Sequence, residues 1–328
     1  MPSISLFWHD YETWGVDPRY DRPSQFAGIR TDLELNVIDE PVMLYCKPPR
    51  DYLPNPMSAL VTRMTPLQID GRGVCEADFF AAIHEQLAKP GTCGVGYNSI
   101  RFDDEVTRFG FYRNFFDPYA REWQNGNSRW DILDLLRLTH ALRPEGINWP
   151  EREGQPGVAS FRLDQLTVAN GIAHEDAHDA LADVHATIAI ARLVREKQPR
   201  LFDYYFNLRI KRNVQQQIDL HNHEILLHAS GMYPAELGSI APVLPLVRHP
   251  TNSNGIIVYD LRHDPVRLLE QDSETIRRLL YTKRDELPEG EERPPLKTLH
   301  INKSPAVAPV ATLTAEAARR WQIDLQQA

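Results

Sequence analysis

Residues 161–195 read FRLDQLTVANGIAHEDAHDALADVHATIAIARLVR, a stretch in which two helical runs flank a polar turn. The first run, LDQLTVAN, stops at Gly171, where a left-handed C-cap costs little. The second, ALADVHATIAIARLV, takes up apolar periodicity from Ala180. His178 stands at its mouth and Asp183 one turn in. Five helical residues turn through about 500°, so two such side chains on one helix would point roughly 140° apart. For them to meet at one centre, His178 must lie on the flexible side of the helix start. A loop histidine beside a helix-borne carboxylate suits a general base next to a metal ligand.

Partners for that pair occur upstream. Residues 3–8 read as a short buried strand running into HDYETWG, and in a strand Asp10 and Glu12 project to the same side. Two or three further strands are expected among FAGIR, LELNVI and VMLYCK, as an antiparallel meander, and a sheet-covering helix in ADFFAAIHEQLA. Residues 91–97, GTCGVGY, form another strand. It delivers Asp103 to the start of a helix, with Asp104 as its rival. One residue shifts direction by about 100° on a helix, so only one of the two acids is expected to face inward.

Between Arg101 and Trp123 the chain carries arginines 101, 108, 113 and 121 among eight aromatic residues. Rings that stack on bases, with guanidinium groups that hold phosphates, make a platform for a single strand. Phe109, Phe115 and Phe116 are assigned to the core; Arg108, Tyr119 and Trp123 are the contact candidates. SRWDILDLLRLTHAL is read as one helix and residues 143–160 as an exposed loop. Beyond residue 195 a basic, aromatic linker and helix precede the β-like runs EILLHAS, APVLPLV, GIIVYDL and KTLHINK, the pattern of a small β-barrel.

The 328 residues allow two domains, and the net charge of −9 argues against a protein coated in positive charge for duplex DNA. No apolar run approaches the roughly 20 residues of a membrane span, and no secretory signal opens the chain. Cys46, Cys75 and Cys93 form no C-x-x-C and read as reduced core thiols of a cytoplasmic protein.

Asp10, Glu12, Asp103 and Asp183 thus all lie at or near element ends. Two carboxylates about 4 Å apart repel by roughly 4 kcal/mol at an effective dielectric of 20, so four together must protonate or hold cations. Two divalent ions would resolve the repulsion and clamp an in-line phosphoryl displacement, with a neutral His178 taking the proton of the attacking water. Oxygen ligands without a thiolate point to Mg²⁺ or Mn²⁺.

D-x-E-T at 10–13, GYNSIRFDDEVTR, NSRWDILDL, ALRPEGINWP, SFRLDQL and AHDALADVHAT together resemble the DEDDh exonucleases, and more closely the bacterial exonuclease I family, over essentially the whole chain. The resemblance implies a ribonuclease H-like α/β domain, a mixed sheet flanked by helices, at 1–197. An SH3-like β-barrel walling a DNA groove would follow at 198–328. It implies hydrolysis of single-stranded DNA from the 3′ end to 5′-mononucleotides in DNA repair and recombination. Asp10, Glu12, Asp103 and Asp183 would be the metal carboxylates and His178 the general base. Glu12 and Thr13 would lie beside the terminal nucleotide, Arg162 would bind substrate, and Arg108, Tyr119, Trp123 and Arg137 would line the strand's path. A monomer that docks the acidic tail of the single-stranded-DNA-binding protein is also implied. Alternatives are an exoribonuclease or oligoribonuclease with the same centre, and a binding module that has lost catalysis. The chain departs from many relatives in having Arg63-Met64-Thr65 where they have Gly-Ile-Thr, and in stopping before the family's C-terminal helical region.

Overall fold

Strand β1 (Ser5–Thr13) lies in the middle of the first sheet, and most of its length is buried because both faces are covered. The computed structural model describes residues 3–174 and 179–326. On one side β1 pairs antiparallel with β2 (Pro23–Thr31), which pairs antiparallel with β3 (Val42–Tyr45). On the other it runs parallel to β4 (Thr92–Gly96), itself parallel to β5 (Ser128–Asp131). The order β3-β2-β1-β4-β5 is a mixed sheet, and its first three strands are the expected meander.

Alternation along β1 sorts its side chains between two layers. Leu6 and Trp8 enter the larger core and Phe7 and Tyr11 the smaller one. Short helices α1 (Pro56–Thr62) and α2 (Pro66–Asp70) follow the third strand. The smaller core is closed by α3 (Glu76–Leu87) through Phe79, Phe80 and Ile83, and by α4 (Asp103–Arg113) through Val106 and Phe111. The larger is closed by α5 (Ile132–Leu142) and, beyond the hairpin β6 (Glu151–Arg152) and β7 (Gln155–Ala159), by α6 (Leu163–Ala169) and α7 (Ala180–Lys197). Ala180, Val184, Ile188 and Ala191 form the buried stripe of α7, at helical spacing. Burying an indole such as Trp8, which is fully enclosed, contributes about 3–5 kcal/mol.

Helices α8 (Pro199–Asn207) and α9 (Lys211–Gln216) lead into a second sheet. Its strands are β8 (Leu226–Ala229), β9 (Ile240–Arg248), β10 (Gly255–Asp260), β11 (Leu296–His300) and β12 (Ala306–Pro309), antiparallel in the order β11-β10-β9-β8-β12. Helices α10 (Val266–Glu270) and α11 (Ser273–Tyr281) cross from β10 to β11, and α12 (Ala315–Arg320) follows β12. The two halves share one core. Trp321 Nε1 donates to the Ala141 carbonyl at 2.8 Å, the Tyr205 hydroxyl to Ser304 O at 2.8 Å, and Arg129 Nη2 to Asn302 O at 3.1 Å. The expected boundary after residue 197 falls between the end of α7 and the proline opening α8. Among the described residues no helix is long and apolar enough to cross a membrane.

Several sequence expectations are corrected. LELNVI is not a strand: both Asp32 carboxylate oxygens accept from Asn36, at 2.8 Å from its backbone N and 3.0 Å from Nδ2, and Leu35 adopts φ 69°. Such an aspartate turn offers the backbone an alternative to the ladder. The single helix expected at 128–142 is β5 followed by α5, with Asp131 switching between them by accepting from Leu133 N. The exposed loop at 143–160 contains the β6–β7 hairpin. Cys46 and Cys93 are buried thiols, but Cys75 is exposed at the N-cap of α3.

Candidate metal centre and strand-binding face

Asp10 and Glu12 continue the Leu6–Trp8 face of β1, the face covered by α7, so period two aims both carboxylates at the first turn of that helix. Asp183 stands there, and Asp10, Glu12 and Asp183 each offer a carboxylate oxygen within 4.8 Å of the others. Asp103, the first residue of α4, is buried outside that group; its Oδ1 accepts from Tyr11 N at 3.1 Å. Its charge nevertheless reaches Asp10. Burial first, then Asp103, Glu12 and Asp183, hold the Asp10 carboxyl well above the usual carboxylate range. Glu12 is pushed up to about 8 by burial and then by Asp183, Asp103 and Asp179. Asp103 is also raised, by burial above all, with Asp104 adding to it.

A group of acids that resists losing its protons is one in which a cation would be welcome. An all-oxygen donor set fits a hard divalent ion, and the residues present therefore suit Mg²⁺ or Mn²⁺.

Asp104 corrects the expectation that only one of the neighbouring acids turns inward, for both are buried. About 100° round the helix from Asp103, it meets Arg121 at 2.5 Å and Arg129 at 2.7 Å. Burial alone would raise its carboxyl, but these two guanidinium groups hold it below the usual range. His9, on the same side of β1, is pushed down to about 4 by burial and then by Arg121.

His178 lies outside the described residues. What is described is the start of α7: Asp179 is the N-cap, its Oδ1 accepting from Leu181 N at 3.1 Å and Ala182 N at 3.2 Å. Gly171, at φ 65°, closes α6 in the left-handed conformation its sequence position demands. Three residues on, His174 returns to the site. Its Nε2 lies 2.6 Å from Asp183 Oδ1, a contact the sequence reading did not anticipate.

The candidate strand contacts divide by exposure. Arg162 has a side chain 63% exposed, bonded to Asp164 through two nitrogens. Arg137 is paired with Asp134 at 2.6 Å. The two line one cavity of about 440 Å³ with Arg152, Ser160 and Gln165. Trp123 and Tyr119 are 67% and 56% exposed. Arg108 is not an open cation: Glu122 and Glu105 hold it at 2.7 and 2.5 Å, and its guanidinium lies 5.1 Å from the centre of the Tyr119 ring. Phe115, assigned to the core, is 98% exposed, and Phe109 is only partly buried. Thr13 Oγ1 donates to Gly15 O. Arg63 caps α1 at φ 56°, so this chain puts an arginine into the left-handed region, at a cost of about 1 kcal/mol.

A family model described as exonuclease matches residues 7–191, and one described as the exonuclease I SH3-like domain matches 209–328. The first sheet with its helices is accordingly a ribonuclease H-like exonuclease domain and the second an SH3-like domain, in a nuclease, a hydrolase. Exodeoxyribonuclease I of Haemophilus influenzae is 51% identical over 327 residues, 99% of this chain and 69% of the relative; that of Escherichia coli is 52% identical over 322 residues, 98% and 67%. The crystal structure of Escherichia coli exonuclease I in complex with a dA16 oligonucleotide superposes with a TM-score of 0.95 at 52% identity, covering 99% of this chain and 69% of that one. A moderately thermophilic exonuclease I from Methylocaldum szegediense gives 0.95 at 56% identity, covering 99% and 68%. The chain belongs to the exodeoxyribonuclease I family.

Proposed function

We propose that this chain removes 5′-mononucleotides from the 3′ end of single-stranded DNA in a reaction dependent on two Mg²⁺ ions, for which Mn²⁺ can substitute. The observation that carries the reading is the convergence of Asp10, Glu12 and Asp183 within 4.8 Å, with Asp103 electrostatically coupled to them. These four carboxylates would hold the ions. Divalent cations bound there supply the charge that neutralises the carboxylates and polarises the scissile phosphodiester. His178 takes a proton from the attacking water. Hydrolysis breaks the bond between phosphorus and O3′, leaving a 3′-hydroxyl on the shortened strand and a 5′-phosphate on the released nucleotide. Glu12 and Thr13 would grip the terminal nucleotide, and Arg162 and Arg137, which line one cavity, would bind the strand. Exposed Trp123 and Tyr119 offer faces on which bases stack.

The test is a 5′-labelled DNA oligomer with Mg²⁺, with chelator, and with Asp183→Ala. A ladder shrinking from the 3′ end, lost in both controls, is expected; strands bound but never shortened would leave a binding module. A matched RNA oligomer should be degraded far more slowly, and equal rates would remove the preference for DNA. The family likeness further supports a cytoplasmic monomer acting in DNA repair and docking the acidic tail of the single-stranded-DNA-binding protein. Failure of that tail to co-sediment at low salt would count against the docking.

A further inference from the structure

We infer that His174 is a positioning residue for the metal centre, holding the Asp183 carboxylate in the orientation in which it takes a divalent cation. The inference rests on the metal centre proposed above.

Its Nε2 lies 2.6 Å from Asp183 Oδ1, its Nδ1 3.3 Å from Thr167 Oγ1, and its side chain is only 3% exposed. An ionised carboxylate has acceptor sites alone, so the proton between His174 and Asp183 belongs to Nε2. The Thr167 hydroxyl, which donates to the Leu163 and Asp164 carbonyls at 2.9 Å each, stands beside Nδ1 on the other edge of the ring. Contacts on both ring nitrogens fix the orientation of the imidazole. Nine residues separate His174 from Asp183 and seven separate it from Thr167, so the contact is tertiary. The turn at Gly171 folds the chain back, and the imidazole ties the end of α6 to the first turn of α7.

A donor occupying one oxygen of a ligating carboxylate sets its rotation and directs the other oxygen to the ion. Hydrogen-bonding partners of this kind alter metal affinity or activity by roughly 10- to 100-fold when removed. A buried histidine with only a structural role would leave metal affinity unchanged, which makes affinity the deciding readout.

The experiment measures Mn²⁺ binding to the whole chain without DNA, by the electron paramagnetic resonance of free Mn²⁺. Wild type is compared with His174→Leu, His174→Gln, Thr167→Val and Asp183→Ala. His174→Leu should raise the dissociation constant about tenfold or more. His174→Gln, whose amide N–H reaches the same oxygen, should stay within about threefold. Asp183→Ala should lose the site, while strand binding in chelator stays as in wild type for both His174 variants. If His174→Leu fails to fold, Thr167→Val decides: it removes the partner that holds the Nδ1 edge of the ring and should weaken Mn²⁺ by about threefold. Unchanged affinity in His174→Leu, or in Thr167→Val where it decides, beside loss in Asp183→Ala overturns the inference and leaves the metal centre standing. A glutamine variant as weak as the leucine one overturns it too. Failure of wild type to bind Mn²⁺ removes the metal centre and the inference together.

Discussion

Gln25 grips both sides of the α7 start: its Nε2 donates to Asp179 Oδ2 at 2.8 Å and its Oε1 accepts from Ala180 N at 3.2 Å. It does so from β2, where it stands opposite Glu12 in the register. One side chain thus ties the strand beside a cluster carboxylate to the residue that follows His178 in sequence. Gln25→Leu should lower turnover about 10- to 100-fold, the cost of misplacing a reacting group by about 1 Å, with strand binding unchanged. Single-turnover degradation of a saturating labelled oligomer checks this; a wild-type rate would release Gln25 from the role.

Strand affinity should follow exposure and not charge alone. Trp123→Ala is expected to weaken single-strand binding in chelator by about 1–3 kcal/mol, the value of one stacked base. Arg108 is neutralised by Glu105 and Glu122, so Arg108→Ala should scarcely alter the salt dependence of binding. Arg162→Ala should reduce the slope against log salt by about 1. Fluorescence anisotropy across a salt series separates the three, and a larger change in slope for Arg108 than for Arg162 would reverse the assignment.

Much of this site was legible because the periodicities that carry it are local. An apolar run ending in alternate acids can only aim Asp10 and Glu12 together, and the 3.6-residue repeat after Ala180 puts Asp183 one turn in. What was illegible depends on distant partners. Nothing near Asp104 in sequence announces the Arg121 and Arg129 cage, and His174 meets Asp183 only because the chain reverses at Gly171. Aromatic content did not reveal which rings turn outward, so Phe115 was misplaced. The strand at 128–131 was hidden because its apolar spacing runs unbroken into α5, although Asp131 carried an N-cap signal. In the second half β12 and the pair α10 and α11 were missed, being four, five and nine residues long.

The carboxylate cluster should cost stability when no metal is present. Glu12→Gln replaces a carboxyl that folding without metal must hold protonated, with its pKa pushed up to about 8, and is expected to raise the unfolding free energy in chelator at pH ~7 by at least about 1 kcal/mol. The same variant should lose activity by about 10³-fold, since an ion's contribution to the transition state is several kcal/mol. Thermal unfolding with chelator and with Mg²⁺ provides the measurement. Wild type should gain from Mg²⁺ and the variant should gain less; equal gains would show that Glu12 does not help to hold the ion.

Lys297, on β11, carries a buried cost of another kind. Its Nζ lies 4.5 Å from the centre of the Tyr233 ring and has no hydrogen-bond partner among the described residues. Burial pushes its ammonium down to about 7; Asp134 opposes this, and Arg101 and Arg137 reinforce it. Between that value and the ordinary 10.5, the unfolded chain binds more protons than the folded one, so this group makes stability rise with pH through the window. Below about 7 both states are protonated and the penalty is complete. Lys297→Met should therefore be more stable than wild type by at least about 1 kcal/mol at pH ~6.5, with the difference shrinking by pH ~9.5. Urea unfolding of both proteins at the two pH values reads it directly, and a difference independent of pH would mean that Lys297 titrates as an exposed lysine does.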